Sequence, residues 1–550
     1  MHNFAPAALA LALCAGQALA AKPQIDPARI TAHVKVLASD AYEGRAPATR
    51  AETKTVKYLT DQFREAGLQP GGDLRGSSRA WTQDVPLARF QTKGPVSLGV
   101  TAVGVAQVWT QGDQVAIRAA QTGAERISIK DAPLMFVGYG VTAPERDWDD
   151  FKGVDLKGKI ALVLVNDPDF ETGEGPFGGK AMTYYGRWMY KYEEAARRGA
   201  LGMLVIHETV PAAYGWVTVK NSNTIEVLDI IRDRPTEAHV PLEGWIQRDV
   251  TVDLFRKAGL DFEALKLQAR GRDFRPVTLS GVTLSADFAV DVEKIVTRNV
   301  VAVLPGAKRP DERVIYTSHW DHLGIGPPDA KGDVIYNGAV DNADGIAVLI
   351  ELGRAFAQAP RTDRSVVFLA VTAEEKGLLG SEYYAANPLY PLATTVANLN
   401  LDALRPAGPA RDFSTAGDAP VTLQDDLIAV AKLKDRYFTP DPRPEAGHFY
   451  RSDHFPFAKR GVPAISYGSG QDLVAGGTAA GKAFAEAYVK DRYHQPADEI
   501  GPDWNSDGIA QDTGLLYDLG RALANSTAWP EWKPGAEFKA ERDRTATERR

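Results

Sequence analysis

Cysteine is almost absent from this sequence: of 550 residues only Cys14 is one, and it lies in an apolar segment near the N-terminus. A single cysteine cannot form an internal disulfide, and removal of that segment would leave no thiol at all. Thiolate catalysis and cysteine-based zinc sites are then excluded for the remaining chain. Any metal ion in this protein must therefore be held by histidine, aspartate and glutamate.

An excess of basic residues is also missing. The chain has 63 lysines and arginines against 71 aspartates and glutamates, a formal net charge of -8, and no basic stretch interleaved with aromatics. Nucleic acid is therefore not an expected partner, because nothing in the sequence would neutralise its phosphates. With 44% hydrophobic and 24% charged residues, the composition is that of a soluble globular protein, and the length predicts two or three domains.

The N-terminus carries the chain's one candidate targeting segment. An apolar run from residue 4 to about residue 15 precedes a small-x-small pattern that ends at Ala20. We interpret residues 1–20 as a signal peptide cleaved near Ala20, which predicts a periplasmic or secreted protein. A short membrane anchor is the alternative, although the run is short for a permanent span. After cleavage we expect no stable membrane insertion.

The remaining chain reads as a main domain with an insertion. Residues 21–94 and 291–530 are assigned to the main domain. In its second part, apolar strands such as "RVIYTSH" alternate with helical patterns such as "ADGIAVLIELGRAFAQ". This alternation predicts an α/β fold, a phosphorylase/hydrolase-like three-layer α/β/α sandwich around a mixed, mostly parallel sheet.

Residues 95–290 have a different sequence pattern, in which short β-branched runs are separated by glycine and proline. This pattern predicts an inserted α+β unit. One helix is predicted there in "YYGRWMYKYEEAARRG", with Lys191, Glu194 and Arg198 on its polar side. Residues 531–550 form a charged tail without an apolar face, which we expect to be disordered.

Metal-competent side chains follow three predicted strands. His319 ends one strand, Glu374 and Glu375 follow another, and Asp402 ends a third, while Asp341 precedes a helix. In open α/β sheets ligands bind beyond the carboxyl ends of the strands, so these side chains are expected at one edge. Each residue alone also fits an ordinary role, such as a helix cap for Asp341. Together they favour a metal centre.

The residue types suit a two-metal hydrolytic site. Zinc accepts imidazole and carboxylate ligands and leaves a position open for water, whereas calcium or cobalt fit this donor mixture less well. Two metals share a carboxylate readily because its two oxygens can serve one ion each, and a further carboxylate can act as general base. Asp321, two residues after His319, is placed to orient the imidazole.

At these residues the chain resembles the zinc aminopeptidase family of co-catalytic metallopeptidases, the twenty-eighth metallopeptidase family, whose relatives include glutamate carboxypeptidase II, the transferrin receptor and glutaminyl cyclase. The matching segments are "LASDAYEGRAPAT", "HWDHLG", "VDNADGIAVLIEL", "FLAVTAEEKGLLGSEYYA", "NLNLD", "RSDHFPF" and "YHQPADE". Within the insertion, "FVGYGVTAP" and "WDDFKGVDLKGKIALVLVNDPD" resemble a protease-associated domain.

The resemblance implies two Zn²⁺ per chain and a role for each residue. His319 and Asp402 would hold one zinc, Glu375 and His494 the other, and Asp341 would bridge them. The implied catalytic groups are Glu374 as general base, Asp321 as the partner of His319, and Tyr450 as a hydrogen-bond donor to the oxyanion. Two positions depart from the family pattern, Asp344 in place of Ser or Thr and Ala403 in place of Met, and neither removes a ligand.

The resemblance therefore implies an exported di-zinc exopeptidase acting on peptides, foremost an aminopeptidase. A carboxypeptidase or dipeptidase on the same scaffold would need a basic pocket, for which Arg187, Arg405 and Arg451 are candidates. A glutaminyl cyclase would use one zinc. A receptor-like protein would bind peptides without cleaving them, and the retention of all five ligands argues against it.

Overall fold

The computed structural model of the protein describes residues 23–549. The predicted signal peptide, residues 1–20, lies outside this range. Within it, no helix has both the length and the apolar character needed to cross a membrane.

The described residues form 14 α-helices. Their bounds are α1 Pro27–Leu37, α2 Arg50–Glu65, α3 Trp188–Arg197, α4 Thr209–Ala212, α5 Trp216–Asn223, α6 Arg248–Lys257, α7 Phe262–Gln268, α8 Asp344–Gln358, α9 Leu379–Ala386, α10 Thr422–Lys432, α11 Phe455–Lys459, α12 Gly477–Asp491, α13 Asp507–Asn525 and α14 Lys539–Arg544.

The strands of three or more residues belong to one large sheet. Their bounds are β1 Thr82–Ala102, β2 Val105–Trp109, β3 Val115–Ile117, β4 Arg126–Phe136, β5 Ile160–Leu164, β6 Gly202–His207, β7 Val227–Ile230, β8 Leu242–Gln247, β9 Val277–Leu304, β10 Arg309–His319, β11 Arg364–Val371, β12 Thr395–Leu401, β13 Asp412–Thr415 and β14 Ala464–Ser469.

The C-terminal half of the sheet runs in the order β13-β14-β12-β10-β11-β9. Pairing is parallel from β14 through β12 and β10 to β11, and antiparallel at the two flanking strands, β13 and β9. Alternate strand residues face opposite layers: Tyr316 packs with Phe356 of α8, and Ile315 belongs to the cluster that contains Tyr384 of α9. The predicted three-layer sandwich with a mixed, mostly parallel sheet is therefore confirmed.

Two very long strands join this sheet to the insertion. β1 and β9, of 21 and 28 residues, pair antiparallel along almost the whole of β1. The predicted boundaries, 94/95 and 290/291, fall inside these strands. Beyond them the sheet continues through β4, β5, β6 and β8, which are parallel from β4 to β8, with helices in the connections. The insertion is thus an extension of the main sheet rather than a detached unit.

Helix α3 in the insertion forms where the sequence predicts it, but its polar side is not exposed. Lys191 is fully buried and donates to the carbonyl oxygens of Tyr139 and Asn166, and burial lowers the pKa of Lys191 to about 8. Glu194 is also buried and accepts from Arg198. Polar spacing located the helix but did not reveal that neighbouring loops cover this side.

The C-terminal tail is ordered, which corrects the expectation of disorder. Phe538 is buried against Trp532 and Phe449, with ring centroids 5.3 and 6.3 Å away. Arg542 of α14 is buried and donates to the carbonyl oxygen of Thr395. The few apolar residues of the tail suffice because the main domain supplies the rest of the aromatic cluster.

Candidate metal centre

The strand ends meet at one edge of the sheet, as the sequence predicts. His319 is the last residue of β10, Asp402 follows β12 directly, and Glu374 comes three residues after β11. Since β10 pairs in parallel with both β11 and β12, these three side chains leave the sheet at the same end. Asp341 enters from the turn that precedes α8.

Asp341 lies between two imidazoles. Its Oδ1 is 3.3 Å from His319 Nε2, and its Oδ2 is 3.2 Å from His494 Nε2. His319 Nε2 is also 3.2 Å from Asp402 Oδ1, and His494 Nε2 is 3.2 Å from Glu375 Oε2. The five residues therefore form two groups, each with one histidine and one carboxylate of its own. The two groups share Asp341, and each of its two carboxylate oxygens faces one group.

The charges of this cluster favour a bound cation. Burial alone would lower the pKa of His319, but Glu374, Asp341 and Asp402 raise it well above its usual value. In the same way Asp341 and Glu375 outweigh burial and raise the pKa of His494 to about 10. Carboxylates that hold a proton on an imidazole so firmly would also stabilise a metal ion in its place. The donor set of imidazole nitrogens and carboxylate oxygens fits zinc.

His322 is a member of the cluster that the sequence analysis did not assign. Its Nδ1 lies 2.6 Å from Glu375 Oε1, and the side chain is completely buried. His322, Asp341 and Glu375 offer ligand atoms within 4.8 Å of one another, as do His319, Asp341 and Asp402. The sequence feature that could have identified His322 was its position in "HWDHLG", three residues after His319.

Asp321 contacts His319 through its backbone oxygen rather than through its carboxylate, which differs from the prediction. The ring Nδ1 of His319 is 3.1 Å from the backbone oxygen of Asp321 but 3.9 Å from its carboxylate. The carboxylate instead accepts from the backbone N–H of Glu374 at 3.1 Å. Asp321 thus positions the loop carrying Glu374 with its side chain and His319 with its main chain. Burial raises the pKa of Asp321 to about 6.

Glu374 lies beside the two groups without being part of either. Burial raises the pKa of its carboxyl well above the usual value, and the nearby carboxylates of Asp402 and Glu375 add to this, although His319 opposes them. A carboxyl group whose pKa is raised holds a proton more readily than an ordinary glutamate, which suits it to accept one. Its position fits a proton-transfer role.

Tyr450 is directed away from the cluster. Its hydroxyl lies 3.1 and 3.2 Å from the two carboxylate oxygens of Glu537, a residue of the C-terminal tail. A role as oxyanion donor would require this hydrogen bond to break, so the geometry does not support that prediction. The neighbouring Ser452 does reach the cluster, because its hydroxyl donates to Asp402 Oδ2 at 2.6 Å.

Further buried residues hold the ligand-bearing loops, and the sequence analysis missed them. Asp498 accepts from the backbone N–H groups of Val340 and Asp341 at 3.1 and 3.0 Å. Arg45 donates to the backbone oxygens of Leu37, Trp320, Asn337 and Gly338, linking the N-terminal segment to both loops. Both lie in segments quoted for the resemblance, "YHQPADE" and "LASDAYEGRAPAT", which were the only signals available.

The two departures from the family pattern lie close to the ligands without replacing any. Asp344, at the start of α8, is fully buried, accepts weakly from the backbone N–H of Leu404 at 3.3 Å, and has its pKa raised well above the usual value by burial. Ala403 follows the ligand position and donates its backbone N–H to Asn342.

Comparison with known proteins agrees with this site. The family model "Peptidase family M28" matches residues 299–517, which contain every residue of the cluster. A "Probable zinc metalloprotease" of Pyrenophora teres f. teres is 39% identical over 103 residues, 19% of this chain and 22% of that protein. "Aminopeptidase YwaD" of Bacillus subtilis is 35% identical over 97 residues, 17% and 18% of the two chains.

The chain spans about a fifth of the length of these curated relatives. Among solved structures, an aminopeptidase from Aneurinibacillus sp. strain AM-1 superposes with a TM-score of 0.48 at 19% identity, covering 91% of this chain and 95% of that one. The similarity of the chain to Peptidase family M28 extends over residues 299–517.

Proposed function

We propose that the protein is a zinc-dependent metallopeptidase with two zinc ions, acting as an aminopeptidase on peptides. The observation that carries this proposal is the position of Asp341, whose two carboxylate oxygens lie 3.3 and 3.2 Å from two different imidazoles. A carboxylate placed in this way is suited to bridge two ions.

In this proposal each group of ligands holds one ion. His319 and Asp402 would hold the first ion, Glu375 and His494 would hold the second, and Asp341 would contribute to both. Zinc would supply Lewis acidity at the substrate carbonyl and make a bound water more acidic. His322 and Ser452 contact the outer oxygens of Glu375 and Asp402, which fixes the orientation of these carboxylates.

Glu374 is the proposed proton carrier. It accepts a proton from the attacking water and donates it to the amine that leaves when the peptide bond breaks. Asp321 fixes the backbone of Glu374, and burial, together with the carboxylates of Asp402 and Glu375, raises the pKa of the Glu374 carboxyl.

Replacing Glu374 with glutamine tests this role. The amide cannot accept the proton, so kcat for peptide hydrolysis is expected to fall by about 10²- to 10⁴-fold, while the zinc content stays that of the wild type. Glu486→Gln, an exposed position on α12, is the matched control and should leave both unchanged. A Glu374→Gln enzyme with wild-type kcat would refute the mechanism.

Two further proposals concern the rest of the chain. The N-terminal apolar run and its small-x-small pattern support export to the periplasm or the medium. The segments "FVGYGVTAP" and "WDDFKGVDLKGKIALVLVNDPD" resemble a protease-associated domain, which we propose for the insertion; its attachment through β1 and β9 would place it beside the metal centre. A glutaminyl cyclase with one zinc is the alternative activity, and a zinc count separates it from the dinuclear peptidase.

A further inference from the structure

Strand β2 forms an exposed edge of the large sheet. Its five residues, Val105–Trp109, pair antiparallel with β1, and β1 continues the sheet through β9. Within residues 23–549 no other strand pairs with β2, so the backbone N–H and C=O groups on its outer side have no strand partner. Val105 and Val108 are 60% and 82% exposed, and Val103 in the preceding turn is 65% exposed. β2 is therefore an open, apolar sheet edge.

The other strands of the large sheet that have a neighbour on one side only are buried or very short. β3 and β7 have three and four residues, and all of these are buried. The remaining two, Gln69–Pro70 and Tyr437–Phe438, have two residues each. Proteins also protect sheet edges with charged residues or proline. β2 contains neither, and the whole segment 94–112 has no charged residue.

Both faces of β2 are open as well as its edge. The four residues from Val105 to Val108 are all exposed, so no other part of residues 23–549 covers them. Val105 is paired with Ala102 and Val108 with Gly99, and alternate residues of a strand point to opposite faces. A strand added to this edge would therefore pack against Val105 on one face of the sheet and against Val108 on the other.

A second copy of the chain fits this edge. The chain has a net charge of -8, and an edge without charged residues avoids the repulsion that two such chains would otherwise experience there. A strand from the second copy would bond the outer N–H and C=O groups, whereas the hydrocarbon of a membrane would leave them without partners. Two copies of β2 that run antiparallel about a two-fold axis each use their only open edge, so the assembly closes as a dimer.

We propose that β2 pairs antiparallel with β2 of a second copy, which joins the sheets of the two chains in a homodimer. The proposal does not depend on the proposed function, because β2 contributes no residue to the metal centre. Residues 282–286 of β9 lie beside the part of β1 that pairs with β2, whereas residues 300–304 pair with β11 of the main domain. An interface formed by one short strand is small, so we expect a dissociation constant in the micromolar range.

Sedimentation velocity of the purified protein at about 1 to 100 µM tests for this dimer. The wild type is expected to shift from the mass of one chain towards that of two as its concentration rises. Val105→Lys and Val108→Lys each put two like charges at the seam, one from each copy, and should weaken the dimer by at least about tenfold. Val489→Lys, at a valine of α12 that is 65% exposed, is the matched control and should leave the dimer unchanged.

A mixture of two variants tests whether the strand meets its own copy. Val108→Lys and Val108→Glu should each be monomeric at concentrations where the wild type is a dimer. Mixed together they should form a dimer again, because opposite charges then meet across the pair of strands. Peptide hydrolysis per chain should equal that of the wild type in every variant, which shows that the variants fold.

The outcomes that would overturn the proposal are distinct. A wild type with the mass of one chain at about 100 µM would do so, and so would a dimer that both lysine variants leave intact. A mixture of Val108→Lys and Val108→Glu that stays monomeric would show that the two copies do not meet at this strand. Binding of the monomer to phosphatidylglycerol vesicles that is lost in Val108→Lys would assign the edge to a membrane instead. None of these results bears on the peptidase activity.

Discussion

His319 and Asp402 are 83 positions apart in the sequence, yet His319 Nε2 and Asp402 Oδ1 lie 3.2 Å apart. Their approach could be predicted because each follows a strand, and parallel strands end at one edge. The residues that bind the backbone of the ligand-bearing loops could not be predicted by the same reasoning. Asp498 reaches Val340 across 158 positions, and Arg45 reaches Gly338 across 293, from segments with no strand of their own at those positions.

Asp498 provides a test at the scale of a single residue. Its carboxylate accepts from two backbone N–H groups of the loop that carries Asp341, so Asp498→Ala should loosen that loop. We expect zinc affinity, measured by competition with a chelator, to fall about 10- to 100-fold with the fold retained.

Asp503→Ala is the matched control, because Asp503 lies in the same connection but is exposed, and within residues 23–549 its carboxylate binds only Arg492. Zinc affinity that is unchanged in Asp498→Ala would show that the loop holds Asp341 without this carboxylate.

At the scale of elements, strand-helix alternation identified the main sheet, and the strand ends at His319 and Leu401 agree with it. The sequence predicted strands in "WTQDVPLARF" and "RNVVAVLPG", but not the full length of β1 and β9, whose 21 and 28 residues far exceed the usual five or six. Their continuous pairing depends on contacts between distant segments. Contacts between distant segments also explain why the sequence predicted helix α3 but not the burial of Lys191. They explain the wrong prediction of a disordered tail as well, because the aromatic neighbours of Phe538 lie in the main domain.

The packing of the tail can be tested at Phe538. Phe538→Ala removes a buried ring that contacts Trp532, Phe449 and Phe455, so the free energy of unfolding in urea should fall by about 3–5 kcal/mol. Val489→Ala, at an exposed position of α12, should change it by less than about 0.5 kcal/mol. An equally small effect for Phe538→Ala would mean that the tail does not pack in solution.

At the scale of the whole molecule, one sheet connects the insertion to the main domain, and the metal centre lies at the edge of the main-domain half. The N-terminal segment binds the backbone of Gly338 through Arg45, the insertion packs Arg187 against the loop at Gly447, and the tail accepts a hydrogen bond from Tyr450 through Glu537. Composition predicted two or three domains but not that each of these segments would contact the loops around the centre.

The most direct test of the proposed dinuclear centre is the zinc content of the purified protein after its metal has been removed with a chelator and zinc has been added back. Measured by mass spectrometry, the zinc content should be two ions per chain, and peptidase activity should return as the ions bind. A single tightly bound zinc with full activity would contradict the bridging role of Asp341, and no bound zinc would contradict the metal centre itself.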